Sequence, residues 1–281
     1  GVDCSFFLAD WHTWVNDKLG GDRKIIKKVA VGYFKEGLKA SLKCIGGNPD
    51  KLKFVLGSDL YHNHDDYWAT VIDVSKNTTL GRMQRSITIM GRKEGESVDF
   101  AKLFYPPMQV ADIFFQGINL AHSGLDQRKA HVIARDVALK LRIFPLRIKK
   151  KEKIKPVAVH HHLILGLGKP PIWPVPKDKL QDLWSTLKMS KSKPDTCIFI
   201  TDSPEEIERK ITNAFCPERE LEFNPVLDWC KYLIFRDKKS MLEIARDKKF
   251  GGDKIYIAYK ELEKDFSLGK LHPVDLKSAV S

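Results

Sequence analysis

Short apolar runs alternate with amphipathic stretches along the first two thirds of the chain. Apolar runs of the length and composition of β-strands occupy residues 3–9, 53–57, 118–124 and 155–165. Apolar residues at helical spacing predict helices over 22–42, 64–94 and 126–141, the last with Asp126 as its N-cap. Strands that alternate with helices predict a parallel α/β sheet, and ligands of such sheets bind at the carboxyl ends of the strands.

The pattern changes after residue 201. In residues 202–215, Asp202 is followed by Ser203, Pro204 and two glutamates, the arrangement of a capped helix. From there to Ser281 the spacing is mostly helical, with little strand pattern. We therefore expect an α/β domain over 1–201 with a helical insertion at about 60–95. A mostly α-helical domain should follow over 202–281.

Two polar stretches show neither the helical nor the strand spacing of apolar residues. "LKMSKSKPD" at 187–195 follows the proline-rich run 168–178 and is predicted to be a mobile basic loop. The segment 166–187 is long for a connection inside a compact domain, and we have no role for it. Residues 141–155 form a charge run, which is more typical of a solvated connector than of an RNA contact.

Composition narrows the class of protein. The net charge of +12 suits a polyanionic partner, nucleic acid first, over a merely solubilising surface. Five cysteines (Cys4, Cys44, Cys197, Cys216 and Cys230) without CxxC spacing favour reduced thiols in a cytoplasmic protein. We find no signal peptide and no apolar run long enough for a membrane span. Because "CSFFLA" resembles a buried strand, the sequence is expected to begin inside a fold.

The stretch "YPPMQVADI" at 105–113 places polar residues on an apolar helix. Pro106 and Pro107 suit a helix start, and Tyr105, Gln109 and Asp112 then share roughly one face. Buried without partners, these groups would cost several kcal/mol, on the order of 2–7 each. They therefore either face solvent or line a polar ligand pocket, and the pattern alone does not decide.

Two further stretches suggest ligands less strongly. "HSGLDQRK" at 122–129 is a turn between a strand and a helix, where Gly124 allows close approach of a phosphate and Asp126 could accept from ribose. "HHH" at 160–162 invites a metal interpretation. Adjacent strand residues point to opposite faces, however, so a structural role for these histidines is favoured and no metal site is predicted.

The motifs together resemble one family. "KMSKS" at 188–192 is similar to the signature loop of class I aminoacyl-tRNA synthetases. The order "FFLADWH", "YPPMQVAD", "GLDQRK", "KMSKS", "FGGD" and "HPVDLK" resembles the archaeal and eukaryotic type of tyrosyl-tRNA synthetase over nearly the whole chain. The resemblance implies a Rossmann-like catalytic domain, with its signature loop at 187–194, and an anticodon-recognition domain over 202–281.

The resemblance also implies roles for individual residues. Tyrosine would be bound by Tyr105, Gln109, Asp112 and Gln127, with Ala9 and His12 lining the pocket. ATP, with Mg²⁺ carried by its phosphates, would be bound by Gly124, Asp126, Lys188, Met189, Ser190 and Lys191, and the two lysines would be catalytic. The acceptor end of tRNA(Tyr) would contact Arg85, Arg128 and Lys129, and the anticodon would contact Phe250, His272 and Asp275. Members of this family are usually cytoplasmic homodimers.

The chain departs from the family at its start. The "HIGH"-type ATP motif and a pocket tyrosine, which lie upstream of "LADxH" in the family, do not occur in this sequence. Their absence favours one alternative, an RNA-binding paralogue that no longer activates amino acids. Tryptophanyl-tRNA synthetase is the other alternative, although Asp112 favours a phenol over an indole. Phe250 could equally be a core residue, and Asp275 could stabilise a helix N-terminus.

Overall fold

The structure, a computed structural model, describes residues 3–92, 95–176 and 187–281. It consists of two compact units, residues 1–161 and 162–281. Leu167 and Ile198 pack in the core of the second unit, so the structural division lies upstream of residue 201. The predicted functional division at residue 201 stays a prediction. Part of the proline-rich segment, residues 177–186, lies outside the described residues.

The strands of the first unit form pairs. Strand β1 (Ser5–Leu8) runs parallel to β2 (Lys53–Leu56), and β3 (Leu120–Gly124) runs parallel to β6 (Val157–His161). These four strands lie inside the four predicted runs, and their parallel pairing agrees with an α/β fold. Between β3 and β6, the predicted connector contains a short antiparallel pair, β4 (Arg147–Ile148) with β5 (Glu152–Lys153).

Both units also contain α-helices. In the first unit these are α1 (Asp10–Val15), α2 (Arg23–Val29), α3 (Lys35–Cys44), α4 (Gly57–Tyr61), α5 (Asp65–Lys76), α6 (Leu80–Ser86), α7 (Tyr105–Phe115) and α8 (Arg128–Val137). The second unit contains α9 (Pro204–Thr212), α10 (Pro225–Trp229), α11 (Tyr259–Ser267) and α12 (Pro273–Val280). It also contains an antiparallel pair that the sequence pattern did not predict, β7 (Leu242–Ile244) with β8 (Lys254–Tyr256).

Capping residues explain where several helices begin. Ser203 caps α9 as predicted, accepting a hydrogen bond from the backbone N–H of Glu206 at 3.3 Å. The predicted helix 64–94 is broken, because Thr79 caps a separate helix, α6, by accepting from the backbone N–H of Arg82. The prediction of Asp126 as the N-cap of α8 is wrong. A 3₁₀ turn, Leu125–Gln127, already holds Asp126, and Gln127 occupies the capping position.

The apolar core of the first unit lies between α5, α7 and α8. Tyr67, Phe114 and Ile133 are almost completely buried there. In the stretch predicted as one helix over 22–42, α2 and α3 are joined by a π-helical turn, Ala30–Phe34. Only Ile26 of α2 is buried, whereas Ile25 and Phe34 are exposed. The core therefore forms around α7, the helix that bears the predicted polar face.

The cysteines are all free thiols. Cys4 and Cys44 are exposed, Cys197 and Cys230 are buried, and Cys216 is half-buried. Burial raises the pKa of Cys216 to about 11 and that of Cys230 to about 12. Among the described helices, none has both the length and the apolar composition that a bilayer span requires.

Candidate active site

Helix α7 carries the polar face predicted from the sequence. It begins at Tyr105, with Pro106 and Pro107 in its first turn. Asp112 is only 5 % exposed, and Tyr105 and Gln109 are half-buried. The solvent-facing alternative is therefore rejected, because a carboxylate buried to this degree needs partners or a ligand.

Two tyrosine hydroxyls donate to one oxygen of Asp112. Tyr61, the last residue of α4, donates to Asp112 Oδ1 at 2.9 Å, and Tyr67 of α5 donates to the same oxygen at 3.1 Å. Burial raises the pKa of Asp112 to about 8, and the two hydrogen bonds oppose this rise. The carboxyl group thus titrates close to neutral pH.

His12 lies against the other oxygen of this carboxyl group. Its Nε2 atom is 3.5 Å from Asp112 Oδ2. Burial lowers the pKa of His12 to about 4, so the imidazole is neutral at neutral pH and the contact is not an ion pair. Helix α1 holds His12 in this position, starting where Ala9 O accepts from Thr13 N. The Tyr105 ring packs edge-on against His12, with ring centroids 4.7 Å apart.

A chain of amide hydrogen bonds links α7 to the turn after β3. Gln109 Nε2 donates to Gln127 Oε1 at 3.1 Å, and Gln127 Nε2 donates to the carbonyl oxygen of Ile89 at 3.0 Å. Both glutamines are thereby held in fixed orientations. The structure brings together five residues predicted to bind the amino acid: Tyr105, Gln109, Asp112, Gln127 and His12.

Buried polar atoms without hydrogen-bond partners concentrate at this site. In the described part of the chain there are eight such side-chain atoms, and four belong to His12, Gln109 and Asp112. These four are both ring nitrogens of His12, Gln109 Oε1 and Asp112 Oδ2. Native proteins rarely leave buried polar atoms unpaired, so their clustering indicates a place where a polar ligand completes the hydrogen bonding.

Gly124 and Asp126 lie at the carboxyl end of β3, where an α/β sheet binds its ligands. Gly124 is the last residue of the strand and pairs in register with His161 of β6. Burial raises the pKa of Tyr105 to about 12, and the nearby charge of Asp126 contributes to the rise. The predicted ribose-binding turn is therefore close to the start of α7.

The signature loop lies in the second unit and has an ordered base. Lys188 forms a β-bridge with Leu165, and Met189 N donates to the carbonyl oxygen of Ile164 at 2.8 Å. The hydroxyl oxygens of Ser190 and Ser192 are 2.9 Å apart. Lys188, Met189 and Ser190 are half-buried, whereas Lys191 is exposed. The loop thus presents Lys191 at the surface.

The residues predicted to contact the tRNA acceptor end are neighbours. Arg128 and Lys129 open α8, and Lys129 Nζ donates to the carbonyl oxygen of Arg85 at 2.9 Å. All three side chains are exposed. They form a basic surface, which we call the acceptor patch.

The predicted anticodon residues lie in the second unit. Phe250 is 62 % exposed in a turn between β7 and β8, so a core role is excluded. His272 caps α12 by accepting from Val274 N at 3.2 Å and contacts Glu218 at 3.1 Å. Asp275 is half-buried in the first turn of α12, a position that also suits a carboxylate stabilising the helix dipole.

The three consecutive histidines diverge. His160 lies 3.0 Å from His131, His161 lies 3.2 Å from His122, and His162 lies 2.8 Å from Asp228. This confirms that neighbouring residues of the strand point to different sides. Within 3–92, 95–176 and 187–281, no cluster of three or more potential metal ligands occurs.

Comparison with known proteins decides the family. The model for tRNA synthetases class I (W and Y) matches residues 1–281. A tyrosine–tRNA ligase from Thermococcus kodakarensis is 60% identical over 282 aligned residues, which cover 100% of this chain and 75% of that protein. The chain belongs to the tyrosyl-tRNA synthetases of class I. This confirms the family inferred from its motifs, including the archaeal type.

Solved structures agree with this family. Tyrosyl-tRNA synthetase from Pyrococcus horikoshii, complexed with L-tyrosine, matches with a TM-score of 0.95 at 56% identity and covers 100% of this chain and 75% of that one. Tryptophanyl-tRNA synthetase from Aeropyrum pernix matches with a TM-score of 0.65 at 20% identity, covering 100% and 66%. The second similarity shows a shared fold alone.

Tyr61 and Tyr67 belong to this site although the sequence did not predict them there. Both lie in "LYHNHDDY" at 60–67, a polar stretch that looks like a surface helix. A tyrosine with a buried ring needs a hydrogen-bond partner for its hydroxyl group. The signal for these two tyrosines in the sequence would have been Asp112, a carboxylate on an apolar helix that needs donors.

Proposed function

We propose that this chain activates L-tyrosine with ATP to form tyrosyl-adenylate and pyrophosphate, and then transfers tyrosine to the 3′ end of tRNA(Tyr). The observation that carries the proposal is the buried Asp112 carboxyl group, one oxygen of which has no partner among the described residues. A buried acceptor of this kind favours a substrate with a hydroxyl group over one without, because the latter leaves it unsatisfied. The relatives at 56–60% identity are tyrosine–tRNA ligases.

The tyrosine pocket is assigned from the contacts around α7. The hydroxyl group of the substrate donates to Asp112, and its amino group lies between Tyr105 and Gln109. Gln127, held by Gln109, faces the amino acid. Ala9 and His12 form the wall beside the ring. Indole has a donor nitrogen but a larger ring, so this pocket favours a phenol.

ATP binds at the carboxyl end of β3. Gly124 allows the nucleotide to approach the backbone, and Asp126 accepts from the ribose hydroxyls. Lys188 and Lys191 bind the phosphates, with Met189 and Ser190 as the loop backbone between them. Mg²⁺ enters as part of the ATP substrate. We propose that the two parallel strand pairs, β1 with β2 and β3 with β6, belong to one Rossmann-like sheet.

The chemistry then depends on positioning and on charge. The carboxylate of tyrosine attacks the α-phosphate, and pyrophosphate leaves. Lys188 and Lys191 stabilise the negative charge that develops on the phosphates. Because Lys191 is exposed on a loop, it can act in the transition state and then withdraw.

Transfer to tRNA uses two surfaces. The acceptor patch of Arg85, Arg128 and Lys129 contacts the first base pair of the acceptor stem. Phe250 stacks on an anticodon base. Asp275 accepts hydrogen bonds from the edge of that base, and His272 lies close to Asp275 in the chain. The enzyme is a cytoplasmic homodimer in which helices within 64–94 and 126–141 form the interface. Exposed Ile72, Leu80 and Leu139 supply apolar surface there.

ATP–pyrophosphate exchange tests the activation step. We expect exchange with tyrosine, much weaker exchange with phenylalanine, and none above background with tryptophan. Exchange with tryptophan alone would contradict the proposed activation of tyrosine. Binding of tRNA without exchange for any amino acid would identify it as an RNA-binding paralogue.

A further inference from the structure

Tyr61 and Tyr67 form a buried pair beside the candidate tyrosine pocket. Tyr61 is 3% exposed and Tyr67 is 0% exposed. Their rings stack with centroids 4.1 Å apart and planes 27° apart. The rings come from two different helices, α4 and α5, yet both hydroxyls converge on one atom, Asp112 Oδ1. Such convergence fixes both the rotation and the position of the carboxyl group.

The second oxygen of Asp112 is in a different situation. Oδ2 is buried and has no hydrogen-bond partner among the described residues. His12 Nε2, which belongs to a neutral ring, lies 3.5 Å from it. A buried carboxylate oxygen accepts hydrogen bonds strongly, so Oδ2 is the place where an additional donor gains most.

We propose that Tyr61 and Tyr67 are positioning residues that occupy Asp112 Oδ1 and thereby present Oδ2 alone to the hydroxyl group of substrate tyrosine. The inference deepens the proposed function and rests on it. It assigns the selection of a phenol to three residues from α4, α5 and α7, of which only Asp112 contacts the substrate.

The same two hydrogen bonds control the charge of the carboxyl group. Burial raises the pKa of Asp112, and the bonds from Tyr61 and Tyr67 lower it. The other titratable groups that face Asp112 are His12 from α1, which is neutral, and Tyr105 from α7 itself. Loss of one tyrosine hydroxyl therefore raises the pKa of Asp112 and moves formation of the carboxylate to higher pH.

Calorimetric titration of the full chain with L-tyrosine and with L-phenylalanine, from pH 6 to pH 9, tests this inference. We expect Tyr67→Phe and Tyr61→Phe each to weaken tyrosine binding roughly tenfold at neutral pH, the effect of one hydrogen bond to a charged group. The midpoint of the pH dependence should move upward. Phenylalanine binding should be unchanged, because that ligand makes no bond to Oδ2.

The matched control is Tyr256→Phe. Tyr256 is also completely buried and donates to a carboxylate, Asp265 Oδ2, at 3.1 Å, but it lies in the second unit. The Tyr256→Phe variant should be less stable than the wild type, but its affinity for tyrosine and the pH midpoint of binding should be unchanged. This variant separates a general loss of stability from an effect on Asp112.

Two results would overturn the inference. One is that both variants keep the tyrosine affinity and pH midpoint of the wild type. The other is that tyrosine and phenylalanine are weakened by the same factor, which would indicate a purely structural role. If the wild-type chain itself bound no tyrosine, the proposed function would fail instead, so the two failures are distinguishable.

Discussion

At the scale of single residues, the Asp112 carboxyl group combines burial, two tyrosine donors and an oxygen without a partner in the described part of the chain. Removing its charge while keeping its shape is the most direct test of the assigned role. At pH 9, where the Asp112 carboxyl with its pKa of about 8 is ionised, we expect Asp112→Asn to raise the Kd for tyrosine about ten- to a hundredfold, corresponding to about 1.5–3 kcal/mol for a hydrogen bond to a charged group.

Calorimetric titration checks this prediction, with phenylalanine as the reference ligand. Binding of phenylalanine should not weaken in Asp112→Asn, because phenylalanine does not use the carboxylate. Equal affinity for tyrosine in the variant and the wild type would remove Asp112 from the pocket.

Replacing Lys191 should change the rate of tyrosine activation, whereas replacing Asp112 should change the affinity for tyrosine. It is exposed on the signature loop and is proposed to stabilise charge on the phosphates only in the transition state. Lys191→Ala should lower the kcat of ATP–pyrophosphate exchange by about a hundredfold, the usual order for a lost electrostatic donor, and leave the Kd for tyrosine unchanged.

Lys193→Ala is the control for this loop. Lys193 lies two positions further along and is exposed as well. Its replacement should leave the exchange rate within a factor of about two. A similar loss in both variants would mean that the positive charge of the loop as a whole matters, rather than Lys191.

At the scale of elements, the turn between β7 and β8 and the start of α12 hold the proposed anticodon site. Base stacking on an aromatic side chain contributes about 1–3 kcal/mol, so Phe250→Ala should raise the KM for tRNA about tenfold or more. Asp275→Ala should raise it as well, and both should leave adenylate formation unchanged. Aminoacylation kinetics beside ATP–pyrophosphate exchange separate the two steps.

Ile257→Ala is a matched control for Phe250→Ala. Ile257 is also a large, exposed apolar residue just after β8, with 71 % of its surface exposed. Its replacement should not change the KM for tRNA. Unchanged tRNA kinetics in the Phe250 and Asp275 variants would refute the anticodon assignment.

The cap of α9 makes a prediction about stability. Ser203 accepts a hydrogen bond from Glu206 N. Two glutamates in the first turn interact favourably with the positive end of the helix dipole. Ser203→Ala should lower the free energy of unfolding by about 1 kcal/mol. Ser278→Ala, an exposed serine inside α12, should have almost no effect. Urea denaturation of both variants measures the difference.

Elements with local signals could be predicted from the sequence. The prolines at the start of α7 and the serine before α9 determine where these helices begin, and the structure agrees. Asp126 failed as a cap because a 3₁₀ turn, Leu125–Gln127, lies between β3 and α8 and moves the capping position to Gln127. The Tyr61–Asp112 contact joins residues distant in sequence, so it too was inaccessible.

At the scale of the whole molecule, two buried groups give stability a pH dependence. Asp112 has a pKa of about 8 when folded and 3.8 when free, so the folded state holds an extra proton between these values. His12 has a pKa of about 4 when folded and 6.5 when free, so here the unfolded state holds the extra proton. Between pH 4 and pH 6.5 the two groups therefore have opposite effects on how the free energy of unfolding changes with pH. Above pH 6.5 only the effect of Asp112 remains.

We therefore expect the contribution of Asp112 to fall as pH rises from 6.5 to 8, by up to about 1.4 kcal/mol per pH unit. Urea denaturation of the wild type and of Asp112→Asn across this range measures it. The difference between their unfolding free energies should change with pH in this window. A constant difference would mean that Asp112 does not titrate there.

The distribution of thiols makes the two units chemically distinguishable. A maleimide reagent at neutral pH reaches the exposed Cys4 and Cys44, which both lie in the first unit. In the second unit, burial protects Cys197 and Cys230, and the raised pKa of Cys216 keeps its thiol protonated. A fluorophore attached without any mutation would therefore label the first unit, which is proposed to bind the amino acid. The second unit, which is proposed to bind the anticodon, would remain unlabelled.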